Sequence, residues 1–330
     1  MNLEQYKAEA SRLKRELKNL NASRVSLTDP EEIEAAKIKV HKLQVEYNDV
    51  LQKIKEIKDD YEWKKSIDRE FNSLQQVNII MKKIIEESIR KLDELLIKIP
   101  EEFKDVPPVC WFGNIDAKKS TVVVISANPS KPEEPRSNPR IPCAKQWPDI
   151  KSIDNLIRDY NNYFQHENCA TRWFGKDPCN VRTPNSQGRI EDFLNGLDAS
   201  FYGEKTYNAI HIDLLPFSTK KSFVNISDKI MQIDGMPEWI NEHIHKLIDL
   251  IKPKLIIING TTNFGYFNLC VNMGAQPYSL IVINGTKVWK SSTSCSIPII
   301  GISMNMGSRC FKKHKDLNEL GSEVRKLISI

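Results

Sequence analysis

The sequence predicts an α/β protein in two parts. Residues 1–100 read as an α-helical coiled-coil domain, and residues 101–330 as a domain in which a mostly parallel sheet is covered by helices. Three observations lead there. The first 100 residues hold no glycine, no cysteine and, as proline, only Pro30 and Pro100, while all 13 glycines and all seven cysteines follow. The first part repeats apolar residues in steps of three and four, which is helical spacing. The second part alternates short β-branched runs with longer helical patterns, as a parallel sheet with covering helices requires.

In the first part, Leu3, Tyr6, Ala10, Leu13, Leu17 and Leu20 share one stripe of a helix that fades near Asn21. Thr28, Asp29, Pro30, Glu31 and Glu32 start the next helix. A short polar side chain caps free N–H groups, proline suits the first helical position, and acids favour the positive helix end. The second stripe runs Ile33, Ala36, Val40, Leu43, Tyr47, Val50, Ile54, Ile57 and Tyr61. Its period slips near Trp63 to Ile67, which predicts a bend, a stammer or a turn. It resumes as Phe71, Leu74, Asn78, Met81, Ile85, Ser88, Leu92, Leu95 and Ile99. So narrow a seam fits either a hairpin folded on its own neighbours or a coiled coil that self-associates or docks on a partner protein. Asn78 on the seam predicts a buried amide that selects register.

In the second part the strand candidates are Thr121 to Ser126, Tyr207 to Ile212, Lys254 to Asn259, Ser279 to Ile283 and Ile297 to Ile302. Asn284-Gly285 is a two-residue hairpin signal, so an antiparallel excursion precedes the last core strand. Helices are expected over Asp149 to Gln165, Arg189 to Leu197, Pro237 to Ile251, Thr262 to Met273 and Lys315 to Ile328. Three strands run into polar loops, ANPSKPEEP, DLLPFSTKK and SMNMGSR. Ligands bind at such carboxyl ends in open α/β sheets.

Composition excludes several classes. A net charge of +5, from 48 Lys and Arg against 43 Asp and Glu, is too small over 330 residues to be a nucleic-acid footprint by itself. No apolar run approaches the roughly 20 residues that span a bilayer, and the charged N-terminus has no signal-peptide core, so a soluble, cytoplasmic protein without a membrane partner is expected. The cysteines form no C-x-x-C pair and no cluster with histidine, so buried thiols are expected, with no metal and no cofactor. There is no Walker loop, no dinucleotide glycine fingerprint, no G-x-S-x-G elbow and no H-E-x-x-H.

What remains is an order of motifs: strand then Ser-Ala-Asn-Pro-Ser, strand then Asp-Leu-Leu-Pro-Phe, Lys-Pro-Lys-strand-Asn-Gly, and a last strand then Met-Asn-Met-Gly-Ser-Arg. In this order they resemble the uracil-DNA glycosylase superfamily, particularly its mismatch-specific and single-strand-selective branches, over Val109 to Ile328. The resemblance implies a mostly parallel four-stranded sheet in a three-layer α/β/α domain that binds DNA and excises a base. Asn128-Pro129 looks like the pair that positions the attacking water. Asp213 stands where the family usually has the amide that reads the flipped base. SMNMGSR looks like a degenerate late loop without its proline, with Asn305, Ser308 and Arg309 as polar candidates. The resemblance thus makes Asn128, Asp213 and Asn305 the catalytic candidates. Ser126, Pro129, Ser130, Lys131, Phe217, Ser308 and Arg309 are then expected to contact the nucleobase or DNA.

The chemistry can be read without the family. Breaking an N-glycosidic bond develops positive charge on the sugar and negative charge on the departing base, so a site needs a held water, a donor for the base and an unstacked substrate. Asn128 can orient water but is no strong base. An ionised Asp213 only accepts hydrogen bonds, so it repels a carbonyl and suits an amino-bearing edge, unless it merely caps its turn. Lys131, Arg136, Arg140 and Lys145 are candidates for phosphate, and Trp147, Trp173 and Phe174 for stacking. His211 reads as a packed or hydrogen-bonded strand residue rather than a catalyst. Three functions fit these residues: a glycosylase for a modified base, a non-catalytic nucleic-acid or nucleotide sensor or adaptor whose helices mediate assembly, and a structural coiled coil with an inert head.

Overall fold

The computed structural model describes residues 2–24, 29–115, 121–129, 135–150, 152–165, 174, 189–203, 205–271, 278–306 and 312–328, with backbone alone at 22–24 and 66–73. The chain forms two compact units, Met1–Val77 and Asn78–Ile330. Helix α1 spans Leu3–Arg24 and α2 spans Pro30–Lys98. The compositional break at Pro100 therefore falls inside the second unit, because the last turns of α2 supply apolar residues to the α/β core.

In the first unit the two stripes are visible as burial. Ala10, Leu13 and Leu17 are buried, and Ile33, Ala36, Val40, Leu43, Tyr47, Val50, Ile54 and Ile57 are half-buried between exposed Lys and Glu. Tyr61, at the end of the stripe, is 62% exposed. Asp29 caps α2 by accepting from the Glu31 N–H at 2.7 Å. The two helices run antiparallel. The Lys53 ammonium lies 5.9 Å over the Tyr6 ring, while Arg12, held charged first by Glu9, also feels Glu16 and, from the facing helix, Glu46. The period slip at Trp63 to Ile67 is not a turn, since α2 continues through it. Asn78 is no buried register amide either. It is exposed, and its side chain bonds Asp154.

The second unit carries β1 (Thr121–Ser126), β2 (Ala199–Ser200), β3 (Tyr207–Asp213), β4 (Leu255–Asn259), β5 (Ser279–Ile283), β6 (Thr286–Ser292) and β7 (Pro298–Ile302). They form one sheet in the order β2-β3-β1-β4-β7-β6-β5. From β2 to β7 all neighbours are parallel, and β6 and β5 add antiparallel. The expected four-stranded sheet is thus corrected to a seven-stranded mixed one. A two-residue β2 leaves no periodic trace in sequence, and the Asn284-Gly285 turn, with φ of 48° and 71°, returns the chain into the same sheet. Four parallel strands, β3-β1-β4-β7, remain contiguous at its centre. Every residue of β1 and β4 is buried, which explains their unbroken aliphatic runs.

The helices are α3 (Ile153–Asn161), α4 (Ile190–Gly196), α5 (Phe223–Met231), α6 (Met236–Ile251), α7 (Thr261–Cys270) and α8 (His314–Ile328). Helix α3 is shorter than predicted because Ser152 caps it, accepting from the Asp154 N–H at 3.2 Å. Helix α5 was not predicted; only nine residues long, it spans too few turns to show a period. Helices α4 and α8 cross where Gly196 and Gly321 meet, closely enough that a Cβ on Gly321 would lie 2.1 Å from the Phe193 carbonyl. The crossing is pinned by the His314 imidazole against the buried Asp192 carboxylate at 2.5 Å.

On α6, His243 is buried and stacks on Trp239 at 4.9 Å. Burial, helped by the nearby Lys246, lowers its pKa from 6.5 to about 3. The unfolded chain therefore takes up this proton at a higher pH than the folded one. Above the unfolded value the group has no effect; between 6.5 and about 3, stability falls as pH falls. At pH 5 the loss is about 2 kcal/mol relative to pH 8. Urea titrations at the two pH values should show the difference shrink by that amount in His243→Phe.

Candidate functional site

Strand β1 has β3 on one side and β4 on the other, and the chain visits β3 first. The connections leaving β1 and β3 therefore diverge, and a crevice opens at their carboxyl ends. A cleft of about 680 Å³ lies there, within the size range of small-molecule sites. Its lining comes from the end of β1 (Ser126 to Pro129), the end of β3 (His211, Asp213), the segment Thr219 to Asn225, the turn Gly260 to Asn263, and Ser303 and Asn305 after β7. Phe112 and Phe174 add an aromatic wall.

Backbone bonds hold the first two loops side by side: Leu214 N–H donates to the Ser126 carbonyl and Leu215 N–H to the Ala127 carbonyl, each at 2.9 Å. Asn128 is fixed by its amide nitrogen, which donates to the Phe217 carbonyl at 3.2 Å and to Thr219 Oγ1 at 3.0 Å. The Thr219 hydroxyl in turn donates to the Lys221 carbonyl at 2.6 Å. A carbonyl only accepts, so these partners fix which end of the amide is nitrogen. Thr219→Val should therefore loosen this loop and cost about 1 kcal/mol in urea unfolding, the usual net worth of one hydrogen bond.

At the end of β3, His211 Nε2 and Asp213 Oδ1 are 3.0 Å apart, and both residues are buried at 2% exposure. The carboxylate can only accept, so the proton sits on Nε2. Among the described residues, His211 Nδ1 has no hydrogen-bond partner. The ring is surrounded by Phe112, Phe174 and Phe201, with centroids 5.4, 5.0 and 6.4 Å away.

The β4–α7 turn ties the late loop in place. Asn259 Oδ1 accepts from Met306 N–H at 2.9 Å while its amide donates to Ser126 Oγ at 3.2 Å. Thr261 Oγ1 donates to the Ser303 carbonyl at 2.9 Å. Gly260 has φ of 102°, a conformation side chains resist. Helices α5 and α7 both begin at this cleft, and neither first turn has a side-chain cap. Their free N–H groups and positive dipole ends favour a negatively charged ligand group at the mouth.

The structure thus brings Asn128, Asp213, Asn305, Ser126 and Pro129 to one cleft. It excludes Phe217 from contact: this ring does not line the cleft and is stacked on Trp239 at 5.3 Å, and only its carbonyl serves the site, through Asn128. Ser130, Lys131, Ser308 and Arg309 lie outside the described residues, as does Trp173. Arg136 donates to the Asp105 carbonyl at 2.8 Å, Trp147 to the Asp105 carboxylate at 2.6 Å, and Arg140 is buried 5.0 Å over the Tyr163 ring. None of these, nor Lys145, lines the cleft, whereas Phe174 does.

Sequence reasoning passed over Phe112, Asn263 and Thr219, and assigned His211 a structural role only. The signal for His211 was present, since residues two apart on a strand share a face and His211 stands two before Asp213. Among the described residues, no group of three or more His, Cys, Asp or Glu side chains could hold a metal ion. No helix there is long and apolar enough to cross a membrane. Of the thiols, Cys110, Cys143 and Cys270 are buried and Cys295 is exposed; burial pushes Cys110 up to about 12, far from a reactive thiolate. No protein-family model matches the chain, and no curated protein is significantly similar to it.

Proposed function

We propose that the second unit is a uracil-DNA-glycosylase-like domain, a three-layer α/β/α fold around the four central strands, that binds a nucleobase in this cleft and hydrolyses its N-glycosidic bond to DNA. The observation that carries this reading is convergence. Four motifs scattered from Ser126 to Asn305 end four adjacent parallel strands and present their polar side chains to one cleft with an aromatic wall. A base displaced from its stack would lie against Phe112 and Phe174, and its phosphates would face the two helix starts at the mouth.

In the reaction, water adds its oxygen to the anomeric carbon and the base departs with the electron pair of the C–N bond. The water's proton ends on the base or in solvent. Asn128, held by Phe217 and Thr219, has its Oδ1 end left to orient that water, and Asp213, held by His211, faces the base. Asn305 sits across the cleft, where it serves the leaving base. The N-terminal helices supply assembly, by self-association or by docking on a partner.

A non-catalytic sensor is the second reading. It is favoured by the same fixed Asn128 and paired Asp213, neither of which is a strong, free base. Oligonucleotides each carrying one defined normal or modified base, single-stranded and duplex, decide between the two. Catalysis predicts release of free base over several turnovers, lost in Asn128→Ala. Binding without release selects the sensor, and neither binding nor release sinks both.

A further inference from the structure

Building on that base-binding reading, we infer that the cleft selects a heterocycle whose edge carries N–H donors, an exocyclic amino group above all, because the deep side chains that meet it present acceptors. Four groups make the case. The Asn128 amide nitrogen is spent on Phe217 and Thr219, which leaves Oδ1. The Asn263 amide gives one N–H to the Asn259 carbonyl at 2.5 Å, which orients the group and leaves its Oδ1 to accept beside one remaining N–H. The Asp213 carboxylate accepts by nature, and the uncharged His211 tautomer that donates from Nε2 offers a lone pair at Nδ1, a buried atom with no partner among the described residues. His211, Asp213 and Asn263 are at least nineteen-twentieths buried, at 2%, 2% and 5% exposure.

Donors are placed differently. Ser222, Val224, Asn225, Thr261 and Thr262, at the starts of α5 and α7, are exposed. The two lysines of the lining turn outward, Lys220 donating to the Pro100 carbonyl at 2.6 Å and Lys221 lying 3.8 Å from Glu102. Among the deep groups, the Ser126 hydroxyl, which already accepts from Asn259, and the second N–H of Asn263 are the exceptions that can donate. A ligand edge made of carbonyls would leave several buried acceptors facing like partners, which binding penalises more than it penalises a missing contact. His211 is therefore a specificity-determining residue rather than packing.

Isothermal titration of the full chain with two matched pairs of nucleosides tests this: cytidine against uridine, and guanosine against inosine. The amino-bearing member should bind about tenfold more tightly in at least one pair, as expected when one buried hydrogen bond is gained rather than left unmade. Asp213→Asn, whose amide can donate, should bring that ratio to about unity or reverse it. His211→Phe, which keeps a ring in place, should shrink it. A merely structural role for either residue would lower both members of a pair alike. Uridine and inosine binding as tightly as their partners, or more tightly, overturns the inference while leaving base binding intact. If no nucleoside binds and the circular dichroism is that of a folded chain, the base-binding reading fails and takes the inference with it.

Discussion

Asp213→Ala should lower base release, or base binding if the protein does not turn over, by about two orders of magnitude while the fold survives. The size follows from what the carboxylate does twice. It is the charged group facing the cleft, and a hydrogen bond to a charged group is worth roughly 1.5–3 kcal/mol. It also fixes the His211 ring at 3.0 Å, so its removal leaves a second buried polar atom without a partner and frees the tautomer. Ser126 and Leu214, which shape the loop around it, keep their backbone bond. Base release or nucleoside affinity within threefold of the unaltered chain would remove Asp213 from the site.

Gly321→Ala should be strongly damaging, as should Gly196→Ala on the facing helix, whose Cβ would lie 2.0 Å from the Asn318 carbonyl. At Gly321 the added carbon would sit 2.1 Å from the Phe193 carbonyl and 3.1 Å from the Gly196 Cα, both backbone. Backbone cannot rotate away as a side chain can, so α4 and α8 must separate. Helix α4 is not free to move, because Glu191 accepts from Ser200 Oγ at 2.6 Å and from Phe201 N–H at 3.2 Å, fastening it to β2. A loss of about 3 kcal/mol or more, some 10 °C in melting temperature, is the expected result. Gly265→Ala is the control. It lies inside α7 with open space around it, and should be neutral or stabilising by up to about 1 kcal/mol. Equal melting temperatures for Gly321→Ala and Gly265→Ala would contradict the tight crossing.

The frame of the fold was legible because burial on both faces leaves an unmistakable trace. TVVVIS and LIIIN could only be strands enclosed by helices, and the Asn284-Gly285 turn announced its hairpin. What escaped was short or local: β2 has two residues, and α5 has nine residues whose apolar positions do not repeat long enough to show a period. The seam residue Asn78 misled because a heptad position tells where a side chain points along its own helix, not what stands opposite; here it faces solvent and Asp154. At the site, the strand-end rule located Asn128 and Asp213, since polar residues closing aliphatic runs have few reasons to be there. Phe217 was misassigned because an aromatic ring beside a functional loop is equally suited to packing, and the stack on Trp239 decides for packing. His211 was undervalued because, although its spacing from Asp213 puts both on one face, the unpartnered Nδ1 that gives it meaning depends on the residues packed around the ring.

The cleft draws its walls from segments as far apart in the chain as Phe112 and Asn305, so no fragment of the second unit can hold it and no partly folded form can present it. Occupancy is thereby a report on completeness: whatever enters ties together the two edges of the molecule's centre and raises the melting point of the whole unit in proportion to the logarithm of its concentration. A chain cut short between those segments lacks part of the wall.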